Sequence, residues 1–211
     1  MLIELQQVIP TPLPEKIIKT SEIWDQDLVI KPNSKILISA QSGMGKSTLL
    51  HLIYGLRKDY QGKLLIKGKC ARGLNYEDWE TLRRNSISLV FQDLRLFPHL
   101  TARENLRLIP DPNPASPSID EMAERLGMLP HLEQSVSTLS HGQRQRIAII
   151  RALRKPFQLL MLDEPFSHLD EENQSLACKL IQEVISKNHA GIILSSLGSV
   201  PNLEFDLKYT L

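Results

Sequence analysis

The chain alternates between short, continuously apolar runs and longer stretches whose apolar positions recur every three or four residues. KILIS (35–39), SISLVF (86–91), QLLMLD (158–163) and GIILSS (191–196) are too short and too uniformly apolar for amphipathic helices. They read as strands of a parallel sheet buried on both faces. LIELQQV (2–8) and GKLLIKGK (62–69) mix apolar with polar positions and read as half-exposed strands of an antiparallel flank. Leu176, Leu180, Ile181, Val184 and Ile185 fall at helical spacing, which predicts a crossover helix into the last core strand. PDPNPASP (110–117) carries four prolines and must be a loop, inside a mainly helical stretch of about 93–154. Alternation of this kind predicts an α/β layer architecture, a parallel-sheet core with an inserted helical subdomain.

Composition narrows the picture only a little. The 211 residues suffice for one sizeable domain. With 42% hydrophobic residues, 23% charged residues and a net charge of +1, the chain lacks the basic excess of a dedicated nucleic-acid binder, so no nucleic-acid partner is expected. Cys70 and Cys178 have no CxxC spacing and read as thiols in a reducing compartment rather than as half-cystines. The first residues, MLIELQQVIPTPLPEK, do not have the pattern of a signal peptide. Apolar runs such as LLML (159–162) fall far short of the roughly 18 residues needed to cross a bilayer. A cytoplasmic protein is expected, reaching a membrane only through a partner.

Candidate chemistry begins at AQSGMGKST (40–48), which joins a strand to an apolar helical pattern. Glycines let the backbone curl so that successive N–H groups point at a phosphate, and the helix adds the positive end of its dipole. Ser42, Gly43, Met44, Gly45, Lys46, Ser47 and Thr48 are therefore the candidate cradle. Lys46 has the length to reach β- and γ-phosphates, and the Ser47 hydroxyl is a natural Mg²⁺ ligand. In LLMLDEP (159–165) a buried strand ends in two carboxylates. Asp163 is placed to hold Mg²⁺ through water, and Glu164 is the candidate general base for an attacking water. TLSHGQRQRIAIIRAL (138–153) has two readings. One is an amphipathic helix with Ser140 as N-cap. The other is a second anion site, whose plausible ligand is a partner chain's nucleotide.

Taken together, AQSGMGKST, VFQD around Gln92, LSHGQRQRIAIIRAL, LLMLDEP and SHLD (167–170) resemble the ABC-type ATPases, the nucleotide-binding subunits of ABC transporters, in order and spacing. The likeness runs from about residue 2 to 200. It implies an α/β fold, a P-loop NTPase (RecA-like) parallel-sheet core with an antiparallel β flank and an inserted helical subdomain. One domain would span 1–211, with its core at 1–92 and 155–211 and the helical subdomain at about 93–154. ATP and Mg²⁺ are the implied cofactors. The implied partners are a membrane-spanning permease and a second copy or paralogous ABC subunit. In such a head-to-tail dimer each nucleotide lies between one chain's phosphate loop and Ser140, Gly142 and Gln143 of the other. Lys46 and Glu164 take the catalytic roles, with Gln92, which resembles the family glutamine that touches Mg²⁺ and the water and relays contact with the membrane subunit. The metal set is Ser47, Gln92 and Asp163. Asp170 resembles the aspartate that crosses the dimer interface. Residues 90–106 are most similar to small importer-like or lipoprotein-releasing members.

Three positions depart from that family. Leu197 stands where a histidine follows the last core strand, and leucine has no donor for a γ-phosphate. His189 lies at the wrong end of the strand to replace it. His141 stands where a small glycine is usual, and VIPTPLPEK (8–16) lacks an aromatic residue to stack on adenine. Trp24, in a stretch that reads as a strand, is better explained by core packing than by base stacking. Loss of one preorganised donor typically slows a reaction about a hundred- to a thousand-fold, so slow turnover is expected. The alternative is an ATP-gated dimerisation module with vestigial hydrolysis.

Overall fold

The computed structural model describes every residue except Ser199 and Pro201. Strands β3 (Lys35–Ser39), β6 (Ile87–Val90), β7 (Leu159–Asp163), β8 (Gly191–Ser196) and β9 (Leu207–Thr210) form a parallel sheet in the order β6-β7-β8-β3-β9. The pleat sends alternate side chains to opposite faces, and each face has its own core. Leu37, Val90, Leu160, Leu162, Ile192 and Leu194 belong to one cluster, whereas Ile36, Ile38, Ile87, Leu89, Leu159, Met161 and Ile193 belong to the other. Burial on both faces is why these runs are mostly apolar, and the buried polar exceptions are hydrogen-bonded: Ser88 Oγ donates to the Ala152 carbonyl at 2.8 Å and Ser195 Oγ to Asp163 Oδ1 at 2.6 Å. The edge strand β9 is mostly exposed, and its LKYT sequence carries no such run, so nothing in the hydrophobic pattern predicted it.

The flank is an antiparallel sheet in the order β2 (Asp27–Ile30), β1 (Ile3–Pro10), β4 (Tyr60–Ile66), β5 (Lys69–Cys70). The strand expected over 62–69 is a hairpin instead: Lys67 and Gly68 have φ of 53° and 77°, turning the chain between β4 and β5. Similarly, the strand read into 21–30 begins only at Asp27, because Asp25 is left-handed with φ 61°.

Helix α1 (Glu15–Thr20) follows β1; α2 (Lys46–Ile53) and α3 (Tyr76–Asn85) lie between strands of the core and flank. Between β6 and β7 come α4 (Ala102–Arg107), α5 (Ile119–Arg125) and α6 (His141–Arg154), with Thr101 and Ser135 making an isolated bridge. Helix α7 (Glu171–Lys187) crosses from β7 to β8. Reciprocal capping at Asn75, Thr101 and Ser140 fixes the starts of α3, α4 and α6, each cap worth about 1 kcal/mol. Ile147, Ile150 and Leu153 of α6 pack in the same cluster as Leu160 of β7 and Leu180 of α7. The helix carrying LSHGQ is thereby packed against the central sheet.

Register sets the functional edge. Asp163 pairs with Ser195, and Ser39 with Ser196, so the carboxyl ends of β3, β7 and β8 lie side by side. Ligands of open parallel sheets bind beyond that edge.

Candidate functional site

Past β3, residues 40–45 curl between the sheet edge and α2. Gly45, at φ 99°, leads into α2 without any side-chain cap, so the first N–H groups of that helix remain open to an anion. A Cβ at Gly45 would lie 3.3 Å from Nε1 of Trp24, which is completely buried. Trp24 thus supports the loop from within the core, consistent with its reading as a packing residue. Met44 also packs on that core, and its side chain does not line the cavity described next.

A cavity of about 240 Å³ is lined by Ser42, Gly43, Gly45, Lys46, Ser47 and Thr48, by Gln92 and Glu164, and by Pro12, Leu13 and Pro14. Lys46 is 4% exposed; its Nζ donates to the carbonyls of Ala40 at 2.7 Å and Gln41 at 3.1 Å. It also lies 3.1 Å from Glu164 Oε1. The candidate phosphate-binding cation is therefore ion-paired with the candidate base. The Pro12–Pro14 segment is anchored to the loop's helix through Arg57, which donates to the Thr11 carbonyl at 2.9 Å and to Thr48 Oγ1 at 3.4 Å.

Ser47 and Gln92 also border a second cavity of about 390 Å³, with Asp163 and His51 in its wall. Burial holds the His51 imidazole below its ordinary pKa, favouring the neutral ring. Asp163 is 2% exposed; its Oδ1 accepts from Ser195 Oγ at 2.6 Å, while Oδ2 is buried with no protein partner. A buried carboxylate oxygen without a partner is costly unless something binds it. With the Ser47 hydroxyl and the Gln92 amide bordering the same cavity, the donor set is hard oxygen, the chemistry Mg²⁺ prefers.

Glu164 has a left-handed backbone, φ 48°, and its N–H donates to Ser195 O at 3.1 Å and Ser195 Oγ at 3.2 Å. Ser195 therefore holds both carboxylate-bearing residues. Sequence reasoning passed over it because it read only as the polar end of a strand. Leu197, 62% exposed, shares a cavity of about 130 Å³ with Glu164, Ser195 and Val200 and offers no donor to it. His189 lies just before β8, at the opposite end of that strand.

Ser140, Gly142 and Gln143 do not line the loop's cavity. Ser140 Oγ accepts from Gln143 N–H, and Gln143 Oε1 accepts from Ser140 N–H, so the capped-helix reading holds within this chain. Gly142 is required sterically, since a Cβ there would lie 2.8 Å from the His168 carbonyl. The rings of His141 and His168 are in tilted contact, with centroids 3.8 Å apart and an interplanar angle of 38°, and burial and that neighbour lower the His141 pKa. Asp170 caps α7 by accepting from Asn173 N–H at 2.8 Å, which keeps its carboxyl below the usual range.

The profile of the family described as ABC transporter matches residues 24–167. The thiamine import ATP-binding protein ThiQ of Haemophilus influenzae (strain 86-028NP) is 34% identical over 174 residues, covering 80% of this chain and 78% of that one. The lipoprotein-releasing system ATP-binding protein LolD of Hydrogenovibrio crunogenus is 32% identical over 200 residues, covering 92% and 86%. Among solved structures, the dimeric post-hydrolysis state of the ATP-binding cassette MJ0796 with ADP and Pi superposes with a TM-score of 0.74 at 26% identity, over 93% of this chain and 88% of the other. With a phosphate-type loop, an adjacent buried Asp–Glu pair and a capped LSHGQ helix on this sheet, the chain belongs to the ABC transporter family as an ATP-binding, ATP-hydrolysing subunit.

Proposed function

We propose that this subunit binds MgATP in the cavity of residues 42–48 and hydrolyses it to drive a membrane permease, with turnover slowed by Leu197. The observation that carries the reading is the buried Lys46–Glu164 contact of 3.1 Å at the mouth of an uncapped helix. A triphosphate draws Lys46 away from Glu164, and the freed carboxylate then accepts a proton from water. The water oxygen forms its bond to the γ-phosphorus as the bond to the bridging oxygen breaks, the leaving charge being met by Lys46 and the α2 N–H groups. Ser47, Gln92 and water held by Asp163 would hold Mg²⁺, which would supply neutralisation of phosphate charge. Pro12, Leu13 and Pro14 offer the base an apolar wall in place of an aromatic stack.

Ser140, Gly142 and Gln143 of a second copy or a paralogous subunit cap the nucleotide, Asp170 crossing the interface beside them. Closure is driven by charge-assisted hydrogen bonds, each worth about 1.5–3 kcal/mol, and hydrolysis releases it. Among the described residues no helix is long and apolar enough to cross a membrane, so the permease is a separate chain or segment. Relatives named for thiamine import, iron import and lipoprotein release support a role in transport without choosing a substrate. Attachment to the cytoplasmic face of the membrane follows from that partner.

A second reading, an ATP-gated dimerisation module, is favoured by the exposed, donor-less Leu197. Two measurements separate them: MgATP turnover by phosphate release, and dimerisation by light scattering. Lys46→Ala should weaken MgATP binding about ten- to a hundred-fold, the worth of one charged hydrogen bond. Glu164→Gln should dimerise with ATP and release phosphate about 10²- to 10⁴-fold more slowly. Phosphate release by the Glu164→Gln protein at the wild-type rate would refute the catalytic assignment.

A further inference from the structure

Gln145 lies in α6, five residues beyond the Ser140 cap, and is 2% exposed. Its Nε2 donates to the Glu164 carbonyl at 3.2 Å and to Ser167 Oγ at 3.2 Å, while its Oε1 accepts from His168 N–H at 3.2 Å. The partners dictate the amide's orientation: a carbonyl needs a donor and an N–H needs an acceptor, so the flipped amide would satisfy neither. A buried side chain meeting three backbone or hydroxyl groups of residues 164–168 is more than a packing filler.

Glu164 is the residue with most to gain from that grip. Its left-handed φ of 48° persists only where the surroundings over-determine it. On the N–H side the holding group is Ser195 of β8, at 3.1 Å from its carbonyl and 3.2 Å from its hydroxyl. On the carbonyl side it is Gln145 of α6. Two elements thus clamp one peptide, and its carboxylate lies 3.1 Å from Lys46. We infer that Gln145 is a positioning residue for the hydrolytic carboxylate, tying Glu164 to the helix whose first turn bears Gly142 and Gln143. The inference rests on Glu164 being the base, as proposed above. Without Gln145 the carbonyl side is released, Glu164 relaxes toward ordinary φ, and its carboxylate leaves the line of attack. Nucleotide affinity, set by residues 42–48, is unaffected.

The test is steady-state MgATP hydrolysis by the purified chain, with fluorescent-nucleotide affinity and urea denaturation measured alongside. Gln145→Met removes all three hydrogen bonds; Gln145→Glu keeps the acceptor for His168 and loses the amide donor. Both should lower kcat about 10- to 100-fold, the usual effect of losing a group that orients a functional residue. KM and nucleotide affinity should stay within about two-fold, since the interaction matters only in the transition state. Adding Gln145→Met to Glu164→Gln should cause little further loss, because both changes act through one carboxylate. Undiminished kcat in Gln145→Glu, a fall in kcat that tracks lost affinity and stability, or full additivity in the double variant would overturn the inference alone. Wild-type kcat in Glu164→Gln would overturn the assignment of the base as well. Should Gln145→Met not fold, Gln145→Glu decides.

Discussion

Replacing Leu197 by histidine should accelerate ATP hydrolysis. Leu197 follows β8 directly and shares a cavity with Glu164, yet 62% of it is exposed. Complete burial of a leucine contributes about 1.5–3 kcal/mol, so losing the shielded fraction costs about 1 kcal/mol or less, well within the stability of a folded domain. A preorganised donor aimed at developing charge is worth about 2.7–4 kcal/mol, a hundred- to a thousand-fold in rate. An imidazole that reaches only partway should still give about ten-fold. The assay is phosphate release at saturating MgATP for the wild type, Leu197→His, and Leu197→Met as a donor-less control, with melting temperature measured for each. The gain should appear in kcat and vanish in a Glu164→Gln background. No gain for Leu197→His in a protein that already turns over briskly would refute the argument, as would an equal gain for Leu197→Met.

Three further outcomes are expected. Ser195→Ala removes the donor to Asp163 Oδ1 and an acceptor for Glu164 N–H, so urea denaturation should show a loss of about 1–3 kcal/mol, together with a raised Mg²⁺ requirement; unchanged values of both would contradict the role assigned to it. Gly45→Ala combines a left-handed backbone with a contact of 3.3 Å to Trp24, whereas Gly68→Ala, at φ 77°, meets nothing within 4 Å; both incur backbone strain of about 1–3 kcal/mol, but only the first should also weaken nucleotide binding. Lys155, which donates to the Ile87 carbonyl at 2.9 Å, has its pKa lowered by burial to about 8, against 10.5 for the free side chain. The unfolded chain then holds more protons between those values, so stability should rise with pH across that window, by at most about 3 kcal/mol, and the rise should be absent in Lys155→Met.

The hydrophobic pattern was sufficient for β3, β6, β7 and β8, because a strand buried on both faces is apolar on both rather than alternating. The local signals at residues 40–48 and 163–164 were equally legible, since glycine torsions, a lysine and two strand-end carboxylates serve phosphate chemistry wherever they are folded. Other features depended on long-range partners. Exposed β9 gives no apolar run, and the turn that divides GKLLIKGK is made by the left-handed torsions of Lys67 and Gly68. The Lys46–Glu164 pair, separated by more than a hundred residues, exists because parallel register sets the ends of β3, β8 and β7 beside one another. Ser195 and Gln145 are ordinary polar letters in the sequence. Packing turned them into the two holders of one strained peptide, because a buried carbonyl, N–H or carboxylate must be satisfied by whichever side chain the fold delivers.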